Sequence, residues 1–272
     1  MINLDDPPAP SANPPITCYI RAKNENRVIE RVIRAAFQAV DEVVVIDSGS
    51  TDGTIEIAHA AGARVIKAEW FGGGKQKRLG EDAARNNWLL DLDADEIVTP
   101  ELAAEIRAVF ANGEPPFPIY ETLMATIPPV GKPWMTFNLV DRRKLYDRRV
   151  VRQPDHANWD QFKTPAGVRV GKLKSPLLHY SFRDLAQLED KFNRNSSGRA
   201  RDTKLRPFWI VALRVALAKP LYFFNIYVRR GLWRGGWYGF ACAQVSAHGR
   251  WLKDAKMLEA HIRLRDEKRR GG

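Results

Sequence analysis

From Ile16 to Phe110 the chain alternates short apolar runs with stretches of helical period, and that rhythm restricts the fold more than any other feature of the sequence. ITCYI, EVVVID, ARVIKA and WLLDLDADE read as strands. After the first, Asn24 can cap a helix in which Ile29, Val32, Ile33, Ala36, Phe37 and Val40 recur at i, i+3, i+4, i+7 spacing. IEIAHAAG reads as a short helix closed by Gly62, and a third helix lies around KQKRLGEDAARNN. TPELAAEIRAVF opens a fourth, with Thr99 as N-cap and Pro100 in the first turn. EVVVID is apolar almost throughout, as a parallel strand covered on both faces must be. Strands alternating with helices in this way predict an α/β fold with a mostly parallel sheet.

Residues 115 to 180 lose the alternation; prolines cluster there, and PIYETLMATI and LLHYSF read as strands of a mixed sheet edge. DLAQLEDKFNRNSS is helical, and a Trp-, Phe- and Arg-rich stretch follows. The expected organisation is a disordered tail over 1–15, a catalytic domain over 16–183 and a helical, basic extension over 184–272. The tail has neither the basic start nor the apolar stretch of a secretory signal. Two distant cysteines, Cys18 and Cys242, argue against a disulfide framework and fit a reducing, cytoplasmic compartment. The net charge of +11 is local: residues 201–272 hold 16 Lys and Arg against 5 Asp and Glu, while residues 1–200 balance at 27 of each sign. Such a segment is drawn to a polyanion, either nucleic acid or an anionic membrane face.

Three strand ends carry acids: RAKNE after the first, Asp47-Ser48-Gly49-Ser50-Thr51-Asp52-Gly53 after the second, and Asp93-Ala94-Asp95-Glu96 after the fourth. In an open parallel sheet, ligands sit outside the carboxyl ends of the strands, so these groups converge on one edge. A strand period of two puts Asp93 and Asp95 on the same side, where paired oxygens suit a hard divalent cation. Asp91 is left over, and a helix-borne Lys or Arg is its expected partner.

IRAKNENRVIERVI, DEVVVIDSGSTDGTIEIAHAAGARVI, EWFGGGKQKRLGEDAARNNWLLDLDADEIVTPELAAEI, VGKLKSPLLHYSF and RRGLWRGGWYGF together resemble the family 2 glycosyltransferases, from about Ile16 to about Leu258. The last two are similar to the bacterial subgroup that builds the lipopolysaccharide inner core and related envelope glycans. The resemblance implies a GT-A-like nucleotide-diphospho-sugar transferase fold with a helical C-terminal extension. It implies an inverting transfer from a nucleotide-sugar donor to a lipid-linked or lipopolysaccharide-type acceptor. Asn24, Glu25 and Asp47, with the adjoining Ser48, would then lie around the base and ribose, Asp93 would face ribose and diphosphate, and Asp95 would bind a Mg²⁺ or Mn²⁺ ion. Gln76 and Lys77 would lie near the donor, and His179 is a candidate further metal ligand. A cation at the diphosphate stabilises charge that gathers on the leaving group, which gives the clustered acids a reason to exist.

The glycines of FGGGKQKRLG can cradle phosphate through their N–H groups, or merely form a turn before a basic helix. For the base that takes the acceptor proton, DHANWDQFKTPAG offers Asp160 and the pair Asp155-His156. Residues 207–228 are apolar enough to raise a transmembrane helix, but Arg214, Lys219 and Pro220 interrupt them, and each charge at mid-bilayer costs about 2.5–3.5 kcal/mol. A pair of interfacial helices fits better, with Trp209, Trp233, Trp237 and Trp251 at headgroup level, peripheral at the inner face of the plasma membrane. Two other readings stand beside this one: a nucleic-acid-binding protein using the basic tail, and a catalytically inactive nucleotide-sugar-binding protein. The first has no recognition motif, and its strand-end acids would repel a polyanion, so no nucleic-acid partner is expected.

Overall fold

A computed structural model describes residues 13–157 and 159–270, divided into two compact units. The first comprises the chain through Ala125 together with Val140–His179; the second comprises Thr126–Leu139 and the chain from Tyr180 onward. The division therefore falls at 179/180 rather than at 183/184, and residues 126–139 join the helical unit. Residues 1–12 of the expected tail lie outside the described residues. Asn13 is already tied down, its Nδ2 donating to the carbonyls of Phe37 at 2.7 Å and Val40 at 3.0 Å.

The first unit is built on an eight-stranded sheet. Its first strands are β1 (Ile16–Ala22), β2 (Glu42–Asp47), β3 (Arg64–Lys67) and β4 (Trp88–Asp93). β5 (Glu96–Val98), β6 (Ile119–Thr126), β7 (Val140–Asp147) and β8 (Gly171–His179) complete it, in the order β3-β2-β1-β4-β7-β6-β8-β5. β1 pairs parallel with both β2 and β4, and antiparallel pairing begins at β7. The helices are α1 (Ile29–Ala36), α2 (Thr54–Ala60), α3 (Gly73–Ala83) and α4 (Pro100–Phe110). α1 buries Ile29, Val32, Ile33 and Ala36, the positions its period marks. Thr99 caps α4, its Oγ1 accepting the Leu102 N–H at 3.1 Å. Tyr19 lies so close under α3 that a Cβ on Gly80 would stand 2.8 Å from its ring.

Two local expectations are corrected. Asn24 does not cap α1: it takes φ 56°, and its Oδ1 accepts the Thr51 N–H at 2.9 Å from the neighbouring loop. WLLDLDADE is not one strand, because the chain turns at Ala94-Asp95 and β5 leaves to pair with β8. Asp93 and Asp95 therefore do not share a strand face; they are a strand end and a turn residue. β7 lies between β4 and β6 although its sequence is VDRRKLYD, a segment with no apolar alternation to mark it as a strand.

The second unit contains α5 (Leu185–Asp202), α6 (Phe208–Phe224) continued by a π-helical turn (Asn225–Arg229), a 3-10 turn (Leu232–Gly235) and α7 (Gly236–Arg270). Its core is formed by Trp134, Phe182, Leu188, Ile226, Leu232, Cys242, Ala243 and Ala247. Small residues let the helices approach closely, since a Cβ on Gly249 would stand 2.5 Å from Phe192.

Candidate active site

Parallel pairing on both sides of β1 fixes where the strand ends fall: Ala22 is opposite Asp47, and Arg21 is opposite Asp93. The acids after β2 and β4 therefore flank the end of β1, at the carboxyl edge where a ligand is expected.

At the β2 end, Asp47 is fully buried. Its Oδ1 accepts the N–H groups of Gly49 and Ser50, both at 2.9 Å, and its Oδ2 accepts the Ser50 hydroxyl. Gly49 and Gly53 have φ values of 89° and 86°, which a side chain would resist. Asn24 N donates to Ser50 Oγ at 2.8 Å, and Glu25 N to Thr54 Oγ1 at 2.8 Å. The loops after β1 and β2 are thereby laced together, with Asp47 as the anchor of its own loop. Ser48 Oγ accepts from Gln76 Nε2 at 3.3 Å, while Gln76 Oε1 is buried with no hydrogen-bond partner among the described residues.

Gly73 and Gly74 of the glycine run commit their N–H groups to the protein's own backbone. Gly73 N donates to Ala157 O at 2.7 Å and Gly74 N to His156 O at 3.1 Å. A Cβ on Gly74 would stand 2.2 Å from Trp159 O and 2.5 Å from Pro154 O. These glycines exist so that backbone atoms of Pro154, His156, Ala157 and Trp159 can lie against α3. Lys77 is equally occupied: it is buried, and its ammonium meets buried Asp91 at 2.7 Å. It is thus the helix-borne partner expected for Asp91, and an ammonium so paired does not reach for a donor phosphate. Lys77→Met would strand Asp91 and is expected to lower the unfolding free energy by about 3–5 kcal/mol in urea denaturation. A loss below about 1 kcal/mol would mean that Gln153 Nε2, 3.2 Å from Asp91, satisfies the carboxylate alone.

Arg21, a residue not singled out in the sequence, organises the edge. Its Nε donates to Asp93 Oδ1 at 2.9 Å, its Nη2 reaches the same oxygen and also Asp160 Oδ2 at 3.2 Å, and its Nη1 donates to Gly73 O at 3.2 Å. Burial pushes the Asp93 carboxyl up, but the charges of Arg21, Lys77 and Lys144 outweigh it and hold the group well below the usual carboxylate range. Asp93 therefore stays ionised at neutral pH. Asp160, with a side chain 41% exposed, is brought to this node. His156 is exposed, and its Nδ1 accepts the Trp159 N–H at 3.1 Å. Asp155 is exposed on the same loop.

Beside the node, the pairing of β5 with β8 places His179 opposite Glu96 and thus next to Asp95. His179 Nε2 lies 3.3 Å from Asp95 Oδ2, and one ligand atom from each of Asp95, Glu96 and His179 falls within 4.8 Å of the others. Glu96 is already engaged: its Oε2 accepts from buried Lys144 at 2.6 Å and from the Asp93 N–H at 3.0 Å. Burial raises its carboxyl above the ordinary range, with Lys144 opposing. Asp95 and His179 are partly exposed and available, an oxygen and a nitrogen donor that suit Mn²⁺ or a similar divalent ion. Glu96 and Lys144 are the supports behind them. Glu96 was visible in DADE, but no sequence signal pointed to Lys144.

The glycosyl transferase family 2 profile matches residues 17–174. An uncharacterized glycosyltransferase of Rickettsia felis is 30% identical over 263 residues, covering 92% of each chain. The lipopolysaccharide core biosynthesis glycosyltransferase LpsC of Rhizobium meliloti is 27% identical over 263 residues, covering 91% of this chain and 93% of its own. A solved structure of glucosyl-3-phosphoglycerate synthase from Mycobacterium tuberculosis, in complex with Mn²⁺, UDP and glucosyl-3-phosphoglycerate, is 28% identical with a TM-score of 0.35. That likeness covers 40% of this chain and 44% of that one, less than half of each. The first unit has the GT-A-like arrangement that the family resemblance implied, and with a profile spanning more than half its length the chain belongs to glycosyl transferase family 2.

Proposed function

We propose that this family 2 glycosyltransferase moves a sugar, with inversion, from its nucleotide-sugar donor to a lipid-linked saccharide of the lipopolysaccharide core or a related envelope glycan. The observation that carries the catalytic part is the convergence of Asp93, Asp160 and the Asp95–His179 pair on one sheet edge. The acceptor class is supported by the full-length likeness to LpsC.

In this reading Asp95 and His179 hold a Mg²⁺ or Mn²⁺ ion, which when bound neutralises negative charge on the donor diphosphate. Arg21 holds both Asp93 and Asp160, its Nη2 shared between them, so that the groups facing donor and acceptor are set by one guanidinium. The Asp160 carboxylate takes the proton of the acceptor hydroxyl as its oxygen attacks the anomeric carbon. The bond from that carbon to the donor phosphate breaks, and the nucleoside diphosphate leaves with the electron pair. Asn24, Glu25, Asp47, Ser48 and Gln76 line the base and ribose side, and the buried, unpartnered Gln76 Oε1 is an acceptor in want of a donor. Lys77 acts behind them through Asp91. The enzyme works peripherally at the cytoplasmic face of the plasma membrane, a placement supported by the concentration of positive charge after residue 200.

Calorimetric titration with a panel of nucleoside diphosphates tests the donor site. One of them is expected to bind, and to bind about tenfold tighter or more with Mn²⁺, equivalent to about 1.4 kcal/mol. Binding of none, with or without the ion, would remove the reading.

A further inference from the structure

The apolar run of the second unit was interrupted in sequence by Arg214 and Lys219, but in the structure these charges are turned to one side of α6. Arg214 Nε donates to Asp254 Oδ1 of α7 at 3.0 Å, and Tyr222 Oη donates to Asp254 Oδ2 at 2.7 Å. Lys219 Nζ lies over the Trp251 ring, 5.7 Å from its centroid, and Trp251 Nε1 donates to Val215 O at 2.8 Å. Trp251 is thereby an internal packing residue of the unit and leaves the set of tryptophans expected at headgroup level.

The other side of α6 is a stripe of large apolar side chains: Trp209, Leu213, Leu217, Leu221, Phe224 and Val228 follow at intervals of three or four and are all exposed. Leu217 is 60% exposed, and Trp209 and Leu221 are each 67% exposed. Beyond the stripe, Trp233 is exposed and Trp237 is 87% exposed. Basic residues stand at both ends, with Lys204 and Arg206 before α6 and Arg229 and Arg234 after it, all exposed.

We infer that this stripe is the membrane-seating surface of the enzyme, and that α6 lies in the plane of an anionic bilayer with the stripe in the acyl boundary and the flanking Lys and Arg at the phosphates. The inference rests on the peripheral placement proposed above and specifies the face that makes it. Phe208–Arg229 is long and apolar enough to cross a bilayer, but a crossing helix would draw the half-buried Arg214 of α6, with its ion-pair partner, the buried Asp254 of α7, into lipid with it. An in-plane helix leaves that pair on the protein side and puts only the apolar side into lipid. A second copy is a poorer occupant, because a two-fold interface would set each basic end against the same charges of its partner. An anionic headgroup layer complements both ends at once.

Full-length protein is mixed with vesicles of equal parts phosphatidylcholine and phosphatidylglycerol and sedimented, alongside the double variant Leu217→Gln, Leu221→Gln. Wild type is expected to pellet with these vesicles, to be released by an alkaline wash, and to show quenching of tryptophan fluorescence when the lipids carry brominated chains. The variant is expected to partition about tenfold less or worse, with nucleoside diphosphate affinity unchanged. No sedimentation of wild type would overturn both this inference and the peripheral placement. Equal sedimentation of the variant would overturn only the stripe, leaving basic residues as the attachment. Resistance to the alkaline wash would make α6 a spanning helix, and a wild-type dimer that the variant converts to monomer without losing vesicle binding would make the stripe a self-association face. The quenching arm uses wild type alone, so absence of quenching in pelleted protein overturns the seating even if the variant fails to fold.

Discussion

Asp160→Asn is expected to slow sugar transfer by about a hundredfold or more while nucleoside diphosphate affinity stays nearly unchanged. The carboxamide keeps the shape of the side chain and can still accept from Arg21, so the loop should hold its position, but it has no basic oxygen for the acceptor proton. Asp160 is favoured over its neighbours by what surrounds it: it shares Arg21 with Asp93, whereas His156 has its Nδ1 occupied by a backbone N–H. His156→Ala should therefore change transfer little. Steady-state rates and calorimetry on the two variants decide the matter, and the opposite pattern would make His156 the base.

Asp95→Asn should abolish turnover and erase the Mn²⁺ dependence of nucleotide binding, with the fold intact by circular dichroism. In the cluster of Asp95, Glu96 and His179, the Glu96 carboxylate is engaged by buried Lys144, so the proposed ion falls to Asp95 and His179. Losing the carboxylate of that pair removes its formal charge, and a neutral imidazole cannot replace the electrostatic part of binding a hard cation. His179→Ala should act in the same direction on metal dependence. Unchanged turnover in Asp95→Asn would dissolve this assignment.

Much of the first unit was legible because its local and global signals agree. β1, β2 and β4 are apolar runs buried on both faces, α1 and α4 carry clean periodic faces, and Thr99 and Gly62 sit where caps belong. Reading stopped where pairing depends on a distant partner. VDRRKLYD is mostly charged and has no strand alternation, yet it forms β7 at the middle of the sheet, pairing with β4 and β6, burying Leu145 and Tyr146, and matching its buried Lys144 with Glu96. The spacing of Asp93 and Asp95 was read as a strand face, and a turn that sends β5 to β8 defeated that geometry while still delivering Asp95 to His179. Arg21 had a visible oddity, a guanidinium closing a buried strand, whose meaning required its two carboxylates 72 and 139 residues away.

The contact of the glycine run with Pro154, His156, Ala157 and Trp159 bears on how such an enzyme can diverge. The loop that carries the chain to Asp160 is fastened through its carbonyls to the N–H groups of Gly73 and Gly74, and the side chains of Asp155, His156 and Trp159 face solvent. A descendant lineage can change those side chains with little displacement of the backbone. It cannot add even a methyl group at Gly72 or Gly74, where a Cβ would fall 2.4 Å or less from loop atoms. Variation is thus channelled: the rim beside Asp160 is open to change, while two residues with no side chain are locked, and side chains at this rim can be exchanged without moving the backbone that carries Asp160.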